Sequence, residues 1–459
     1  MKFKDKKVLV LGAGSSGISA AIFLLQQRAQ VTIYDDKKIM DAPEGAVIEY
    51  VQHNLEPSDF DLCVLSPGVS VNHSLAQKFA SKIASEVALG FTSRHRKKVG
   101  VTGTNGKTTV VEMITDAINF DKSLFKKGAI LCGNSGIPVT SVRRQIKKRI
   151  PVTEVSSFML EPQVEYKNNL YSKKFLRSFA FRPYIGVVLN ITEDHLERHG
   201  TMENYFKHKA SITAFQKRRD KLVLNFDCEN SREISKQTKA RVYYFSSQAR
   251  VRGVFLEDGV IYSNITRRIK PLFRLRDTLE SKPHQVQNIL ATTLVCKLLG
   301  TSTNAIIGAC TTREIPHKIQ FVAAKGGTAF YNDSKATNVA SCLSSIKCFQ
   351  LPIHLLVGGM PKGQDFSQLF LNIQPHVKKI FAFGEAKEEI QKAARKHGYA
   401  FITTYENLLD ATREAAKGMG QKVVLLSPAC SSFDQFTSYA DRGEKFIQIV
   451  KELIEEKND

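Results

Sequence analysis

Short, continuous runs of aliphatic and β-branched residues alternate along the chain with longer segments whose apolar positions recur every three to four residues. The runs at 8–11, 31–34, 62–65, 99–101, 152–155, 186–189, 353–357, 379–383 and 423–426 read as strands. Their lack of polar alternation is the pattern of parallel strands buried on both faces. The stretches at 18–25, 110–117 and 289–299 read as helices. Residues 222–262 carry further short strands at 222–224, 242–245 and 253–256, and 205–212 reads as a helix whose lysines form a solvated face. Strands and helices in alternation predict an α/β protein.

Polar clusters fall where these strands stop, the edge at which open α/β sheets hold ligands. One of them organises the rest. The strand at 99–102 runs into Gly103-Thr104-Asn105-Gly106-Lys107-Thr108-Thr109 and then a helical pattern. Backbone N–H groups at such a turn point at one spot, and the helix dipole favours an anion there. Lys107 can reach outer phosphates, and the Thr108 hydroxyl can hold Mg²⁺. Val101 stands where the full pattern has glycine, so the loop is a shortened variant. Upstream, Gly12-Ala13-Gly14-Ser15-Ser16-Gly17 follows the first strand and Asp35-Asp36 ends the second. That βαβ unit cradles a pyrophosphate, of a dinucleotide or of a nucleotide sugar. Ser66-Pro67-Gly68, Glu154, Thr192-Glu193-Asp194-His195, the 332–338 run and Ser427-Pro428-Ala429-Cys430 close other strands. Glu154 in an apolar strand requires a partner or a metal.

These motifs predict three domains: an N-terminal Rossmann-like domain over 1–97, a central P-loop ATPase-like mixed sheet over 98–313, and a C-terminal Rossmann-like doubly wound sheet over 314–459, with ligands in the clefts between them. An apolar fraction of 42% supplies cores for all three. No apolar run reaches the roughly 20 residues of a membrane span. The start of the chain lacks a signal-peptide pattern. Eight cysteines without a CxxC pair fit reduced thiols, and the expectation is a cytoplasmic monomer. The net charge of +22 admits nucleic acid or an anionic surface as partner. No basic run alternates with aromatics in a recognisable RNA-binding motif, so a solvated or polyphosphate-facing surface is expected and nucleic acid is not.

The motifs at 102–108, 190–195, 332–338 and 426–430 together resemble those of the Mur ligases, end to end. The N-terminal glycine motif with Ser66-Pro67-Gly68, and the C-terminal Ser-Pro-Ala-Cys segment, resemble the D-glutamate-adding branch. The resemblance implies that ATP phosphorylates the carboxylate of UDP-N-acetylmuramoyl-L-alanine and that the amine of D-glutamate attacks the acyl phosphate. It implies ATP contacts at Gly103, Thr104, Asn105, Gly106, Lys107, Thr108, Thr109, Asn288, Lys318, Asp333 and Lys335. It implies two Mg²⁺ sites, one on Thr108 and Glu154 and one on His195 and a carbamylated Lys209, with Lys107, Glu154, His195 and Lys209 serving the chemistry. The UDP substrate falls to Gly14, Ser15, Ser16, Asp35, Asp36, Ser66, Asn134, Ser156 and His195, and D-glutamate to Thr337, Lys362, Ser427 and Phe436.

Four features depart from the family pattern: Lys318 for an arginine, Gln285 for an asparagine, Met360 for an acid, and a long basic segment from Glu165 to Arg182. Lysine offers a point charge where arginine offers a fork. The rival readings are a sibling ligase for another amino acid, a dinucleotide-dependent oxidoreductase resting on the first glycine motif, and a nucleic-acid-binding protein.

Overall fold

The computed structural model describes residues 3–37, 39, 41–91, 97–121, 125–134, 136–166, 179–275, 283–311, 316–418 and 420–455. Most of the basic 165–182 segment, residues 167–178, lies outside them. The strands form three sheets. Two compact units result. Met1–Ile191, Glu203–Glu280 and Gln285–Thr312 form the first, and Thr192–Met202, Ser281–His284 and Arg313–Asp459 form the second.

The first sheet comprises β1 (Lys7–Leu11), β2 (Gln30–Tyr34), β3 (Ala46–Glu49), β4 (Leu62–Leu65) and β5 (Ile83–Ser85), in the order β3-β2-β1-β4-β5. All pairs are parallel. The order reverses between β1 and β4, so their carboxyl ends open a crevice. Helix α1 (Ser15–Gln26) starts there. Its Gly17 is obligatory, because a Cβ would stand 1.8 Å from the Gly12 carbonyl oxygen.

The second sheet comprises β6 (Val99–Thr102), β7 (Ala129–Gly133), β8 (Ile150–Glu154), β9 (Ile185–Val188), β10 (Lys221–Asn225), β11 (Arg241–Ser246), β12 (Gly253–Glu257), β13 (Val260–Ser263) and β14 (Lys270–Arg274). Their order is β14-β13-β12-β11-β10-β9-β6-β8-β7. The span from β7 to β12 is parallel, and β13 and β14 add antiparallel strands, so the sheet is mixed as expected. Sequence patterning missed β14, whose residues are half-buried or exposed, whereas β13, with Val260 and Ile261 buried, falls at the end of the 222–262 stretch read as short strands. Pro271 lies on β14, beside a register shift at Ile261/Tyr262. Helix α2 (Lys107–Phe120) packs Val110, Val111, Met113, Ile114 and Ile118 at 0% exposure into the core. Each such side chain contributes about 1.5–3 kcal/mol. Helices α3 (Ser157–Glu165), α4 (Met202–Ala210) and α5 (Pro283–Leu299) belong to the same region of the chain.

The third sheet comprises β15 (Gln320–Lys325), β16 (Thr328–Asn332), β17 (Ile353–Gly358), β18 (Val377–Phe383), β19 (Ile402–Tyr405) and β20 (Lys422–Ala429), in the order β15-β16-β20-β17-β18-β19. Only the β15–β16 pair is antiparallel. Helices α6 (Val339–Ile346) and α7 (Tyr439–Glu455) flank it. Patterning ends the last strand at 426, whereas β20 runs on through Ser427 and Pro428 to Ala429. The proline is accommodated where the β17–β20 register shifts.

A buried carboxyl ties the first sheet to the second. Glu86 is 1% exposed. Its Oε1 accepts from the Thr140 amide and hydroxyl, both at 2.7 Å, and Thr140 Oγ1 shares a 2.7 Å hydrogen bond with Ser19. Its Oε2 has no partner. Burial raises the carboxyl to about 7, although the Thr140 bonds pull it down. Between about pH 4.5 and 7 the folded chain therefore keeps a proton that the unfolded chain has released. Stability falls as pH rises through that window. Glu86→Gln is expected to flatten this dependence and to stabilise the protein at pH 8 by about 2 kcal/mol; urea midpoints from pH 5 to 8 measure it.

Candidate active site

The buried strand β6 delivers the chain into the phosphate loop, where Gly103 (φ +154°) and Gly106 (φ +86°) adopt conformations that favour glycine. Three groups set the loop's shape. Asn190, just past β9, accepts from the Asn105 amide at 2.7 Å and donates to the Asn105 carbonyl at 3.1 Å, while its own carbonyl takes the Thr104 amide at 2.8 Å. Lys107 Nζ donates to the carbonyls of Gly103 (2.9 Å) and Thr104 (2.8 Å). Lys209 Nζ donates to the Gly103 carbonyl at 2.8 Å. Holding these carbonyls to one side leaves the following amides at the start of α2 for an anion.

Lys209 corrects the expectation of a solvated helix face. On α4, Lys207 is exposed, but Lys209 is 2% exposed, with its ammonium 4.6 Å from the Tyr205 ring centroid. Tyr205 OH meets Thr104 Oγ1 at 3.1 Å. One face of α4 packs beneath the loop, and helical spacing puts Tyr205 and Lys209, four apart, on that face. Sequence reasoning missed Tyr205 and the clamp role of Asn190; the signal for Asn190 was its place at a strand end.

Glu154 ends β8, opposite Val101 of β6. It is 2% exposed; Oε1 accepts from Asn134 Nδ2 at 2.9 Å and Oε2 has no partner. An orphaned buried carboxylate oxygen beside a phosphate loop, with the Thr108 hydroxyl on the first turn of α2, fits the hard oxygen set that Mg²⁺ requires. Asn288 on α5 abuts the loop: a Cβ on Gly106 would meet its Oδ1 at 2.4 Å, and its buried Nδ2 lacks a partner. Ser156 caps α3 by accepting the Met159 amide.

At the carboxyl edge of the first sheet, Gly12 (φ +93°) and Ser66 touch, since a Cβ on Gly12 would meet the Ser66 Cβ at 2.8 Å. Gly14 caps α1 without a side-chain bond, and Ser15 and Ser16 follow on its first turn. Asp35 accepts from the amides of Ala13 (2.7 Å) and Lys37 (2.9 Å). Asp36 accepts from Tyr34 OH at 2.7 Å and pairs with His73 at 3.1 Å. The Tyr34 bond and the His73 charge hold its carboxyl below the usual range.

The second unit gathers the other expected residues. Asp333 is buried, with Oδ2 accepting from Ser427 Oγ at 2.8 Å. Burial raises it to about 6. Desolvation lowers Lys318 to about 8, against the pull of the Asp333 charge. Lys335 lies 5.6 Å from the Tyr439 ring centroid. Thr337 and Phe436 are half-buried. Asp194 accepts from Asn338 Nδ2 at 3.3 Å and faces Lys362 Nζ at 3.6 Å. His195, at φ +55°, meets Glu197 Oε1 at 3.1 Å. His195 and Lys209, expected to share a metal, fall in different units.

Arg442 of α7 was not anticipated. It is 0% exposed and donates to Ser334 Oγ (2.9 Å) and to the carbonyls of Ser334 (2.9 Å), Ser431 (2.9 Å), Cys430 (3.1 Å) and Gly358 (3.5 Å). One guanidinium thus ties together the ends of β17 and β20 and the loop after β16. Desolvation lowers it to about 10.

A phosphate loop on a mixed sheet, with a five-stranded parallel sheet before it and a six-stranded one after it, defines a three-sheet α/β protein of the phosphate-loop class. A model of the Mur ligase middle domain matches residues 101–296, and one of the Mur ligase MurD-like N-terminal domain matches residues 6–87. The UDP-N-acetylmuramoylalanine–D-glutamate ligase of Ligilactobacillus salivarius is 34% identical over 99% of this chain and 98% of its own length. That of Acidobacterium capsulatum is 36% identical over 98% and 97%. The chain belongs to the Mur ligase family. Among solved structures, the MurF ligase from Thermotoga maritima in complex with ADP shares the fold at TM-score 0.57 and 17% identity, covering 99% of this chain and 96% of that one. A pseudomurein peptide ligase type C from Methanothermus fervidus does so at 0.58 and 16%, covering 98% and 100%.

Arg442→Met is expected to destabilise the second unit by roughly 3–5 kcal/mol, because the carbonyls it serves are left buried and unpaired. Arg442→Lys is expected to recover little, since an ammonium cannot reproduce the fork. Denaturant midpoints measure both.

Proposed function

We propose that this Mur ligase joins D-glutamate to UDP-N-acetylmuramoyl-L-alanine with ATP as phosphoryl donor, in peptidoglycan precursor synthesis. A carboxylate oxygen of the acyl substrate attacks the γ-phosphorus, and ADP leaves. The D-glutamate amine attacks the resulting acyl carbon, a tetrahedral intermediate forms, and phosphate leaves as the amide closes and the amine gives up a proton. Catalysis here is positioning and charge neutralisation.

The geometry of the phosphate loop carries this reading, in a chain matched end to end by D-glutamate ligases. Lys107 exchanges its bonds to the Gly103 and Thr104 carbonyls for the outer phosphates, and the amides of 104–109 hold the rest. Asn288, with its unpartnered amide, Lys318, Asp333 and Lys335 serve the nucleotide. Gly14 to Ser16, Asp35, Asp36 and Ser66 hold the UDP end, and Asn134, Ser156 and His195 the acyl end. Thr337, Lys362, Ser427 and Phe436 receive D-glutamate. Thr108 and Glu154 would hold one Mg²⁺, and His195 with Lys209 a second, to neutralise charge developing on the phosphates. A carbamate on Lys209 would keep an N–H for the Gly103 carbonyl while adding the oxygen donors a hard metal needs. The three functional parts correspond to 1–97, 98–313 and 314–459.

ADP release is expected only with both substrates present, and with D-glutamate alone in a panel of amino acids. Turnover with another amino acid would reassign the chain to a sibling activity. Lys107→Ala is expected to lower kcat/KM by roughly 10²-fold or more. Chelation of Mg²⁺ is expected to abolish ADP release, and Glu154→Gln to raise the Mg²⁺ concentration needed for half-maximal rate.

A further inference from the structure

The +22 charge is unexplained by the site, and the second sheet shows where a large part of it goes. Six neighbouring strands, β11, β10, β9, β6, β8 and β7, run parallel. Their amino-terminal ends therefore share one edge, opposite the phosphate loop. Each of the six has lysine or arginine at or just before its start, four of them two or three in a row. Lys126 and Lys127 precede β7, residues 147–149 precede β8, Lys97 and Lys98 precede β6, Arg182 precedes β9, residues 217–219 precede β10, and Arg241 opens β11.

Hydrogen bonds show that these stretches are contiguous. The Tyr184 amide donates to the Lys98 carbonyl, Lys221 to Tyr184, Arg241 to Asp220 and Ile150 to Gly128. The side chains also feel one another. Desolvation and the charges of Arg143 and Arg182 lower Lys98, and desolvation and the charges of Arg241 and Lys97 lower Lys221. Among the described residues, Asp220 cancels the charge of Arg182, but the exposed runs take part in no ion pair. Asp220 is buried against Arg182 in two bonds of 2.8 and 3.0 Å, and buried Asp121 accepts the Ser302 amide at 2.6 Å. The runs at 126–127, 147–149 and 217–219 are exposed. So is Phe120, 59% exposed at the end of α2, on the same edge because Asn119 accepts the first amide of β7.

We propose that this edge docks the protein on an anionic lipid bilayer surface. Six strands about 4.8 Å apart give a front roughly 25 Å wide. Cations spread along a broad front suit a surface of dispersed headgroup charge, where each adjacent Lys or Arg strengthens attachment about 5-fold. One exposed phenylalanine suits the headgroup boundary. A single-stranded nucleic acid would call for exposed aromatic platforms, whereas Phe125 and Tyr184 at this edge are half-buried beside Lys97 and Lys221. The proposal does not depend on the ligase assignment.

The full chain is tested by sedimentation with vesicles of phosphatidylcholine alone and of phosphatidylcholine with 30% phosphatidylglycerol, at about 0.1 M salt. Binding is expected only to the anionic vesicles and is expected to vanish near 0.5 M salt. The variant Lys147→Gln/Lys148→Gln/Arg149→Gln is expected to bind roughly 100-fold more weakly. Its ADP release without vesicles should be unchanged. Lys392→Gln/Arg395→Gln/Lys396→Gln, an equal loss of charge in the second unit, should bind like the parent. Absence of binding to anionic vesicles, equal losses in both variants, or tighter binding to an oligonucleotide than to vesicles at the same salt would each overturn the proposal.

Discussion

The constraint on which the rest of the site depends is the direction of a few peptide groups in the phosphate loop. Amides present themselves to an anion only if the neighbouring carbonyls are satisfied elsewhere. Lys107 and Lys209 take the carbonyls of Gly103 and Thr104, and Asn190 clamps Asn105 from both sides. These contacts come from three separate points along the chain. A parallel sheet is what brings them together, because every strand delivers its carboxyl end to the same edge. Glu154 arrives by the same route and keeps one oxygen unspent.

The second unit solves the analogous problem differently. There the ends of β17 and β20 and the loop after β16 are held by one guanidinium with five bonds. Arginine suits this task because its planar fork spans several acceptors at once. Asp333 and Ser427, expected to serve different substrates, lie in direct contact beside this cluster.

Much of this was legible in the sequence. The three sheets, the phosphate loop and the polar clusters at strand ends follow from continuous apolar runs broken by glycine-rich turns. What escaped did so for physical reasons. Lys209 reads as a surface lysine because its burial depends on what α4 packs against, which local spacing does not state. Arg442 sits in a helix whose other residues look amphipathic, and nothing local marks an arginine as buried. The outer strand β14, with Lys270, Pro271 and Arg274 among its five residues and none of them buried, is too weakly apolar to announce itself. The basic edge was visible only as scattered charge runs until parallel topology placed them side by side.

One of the two outer strands of the nine-stranded sheet carries a further consequence. An unpaired strand border offers free amides and carbonyls to any passing chain. On β14, Pro271 removes one of those amides, the register shift bends the ribbon, and Lys270 and Arg274 put like charge at its two ends. A strand so built is a poorer template for adding a further strand than a smooth, uncharged one would be.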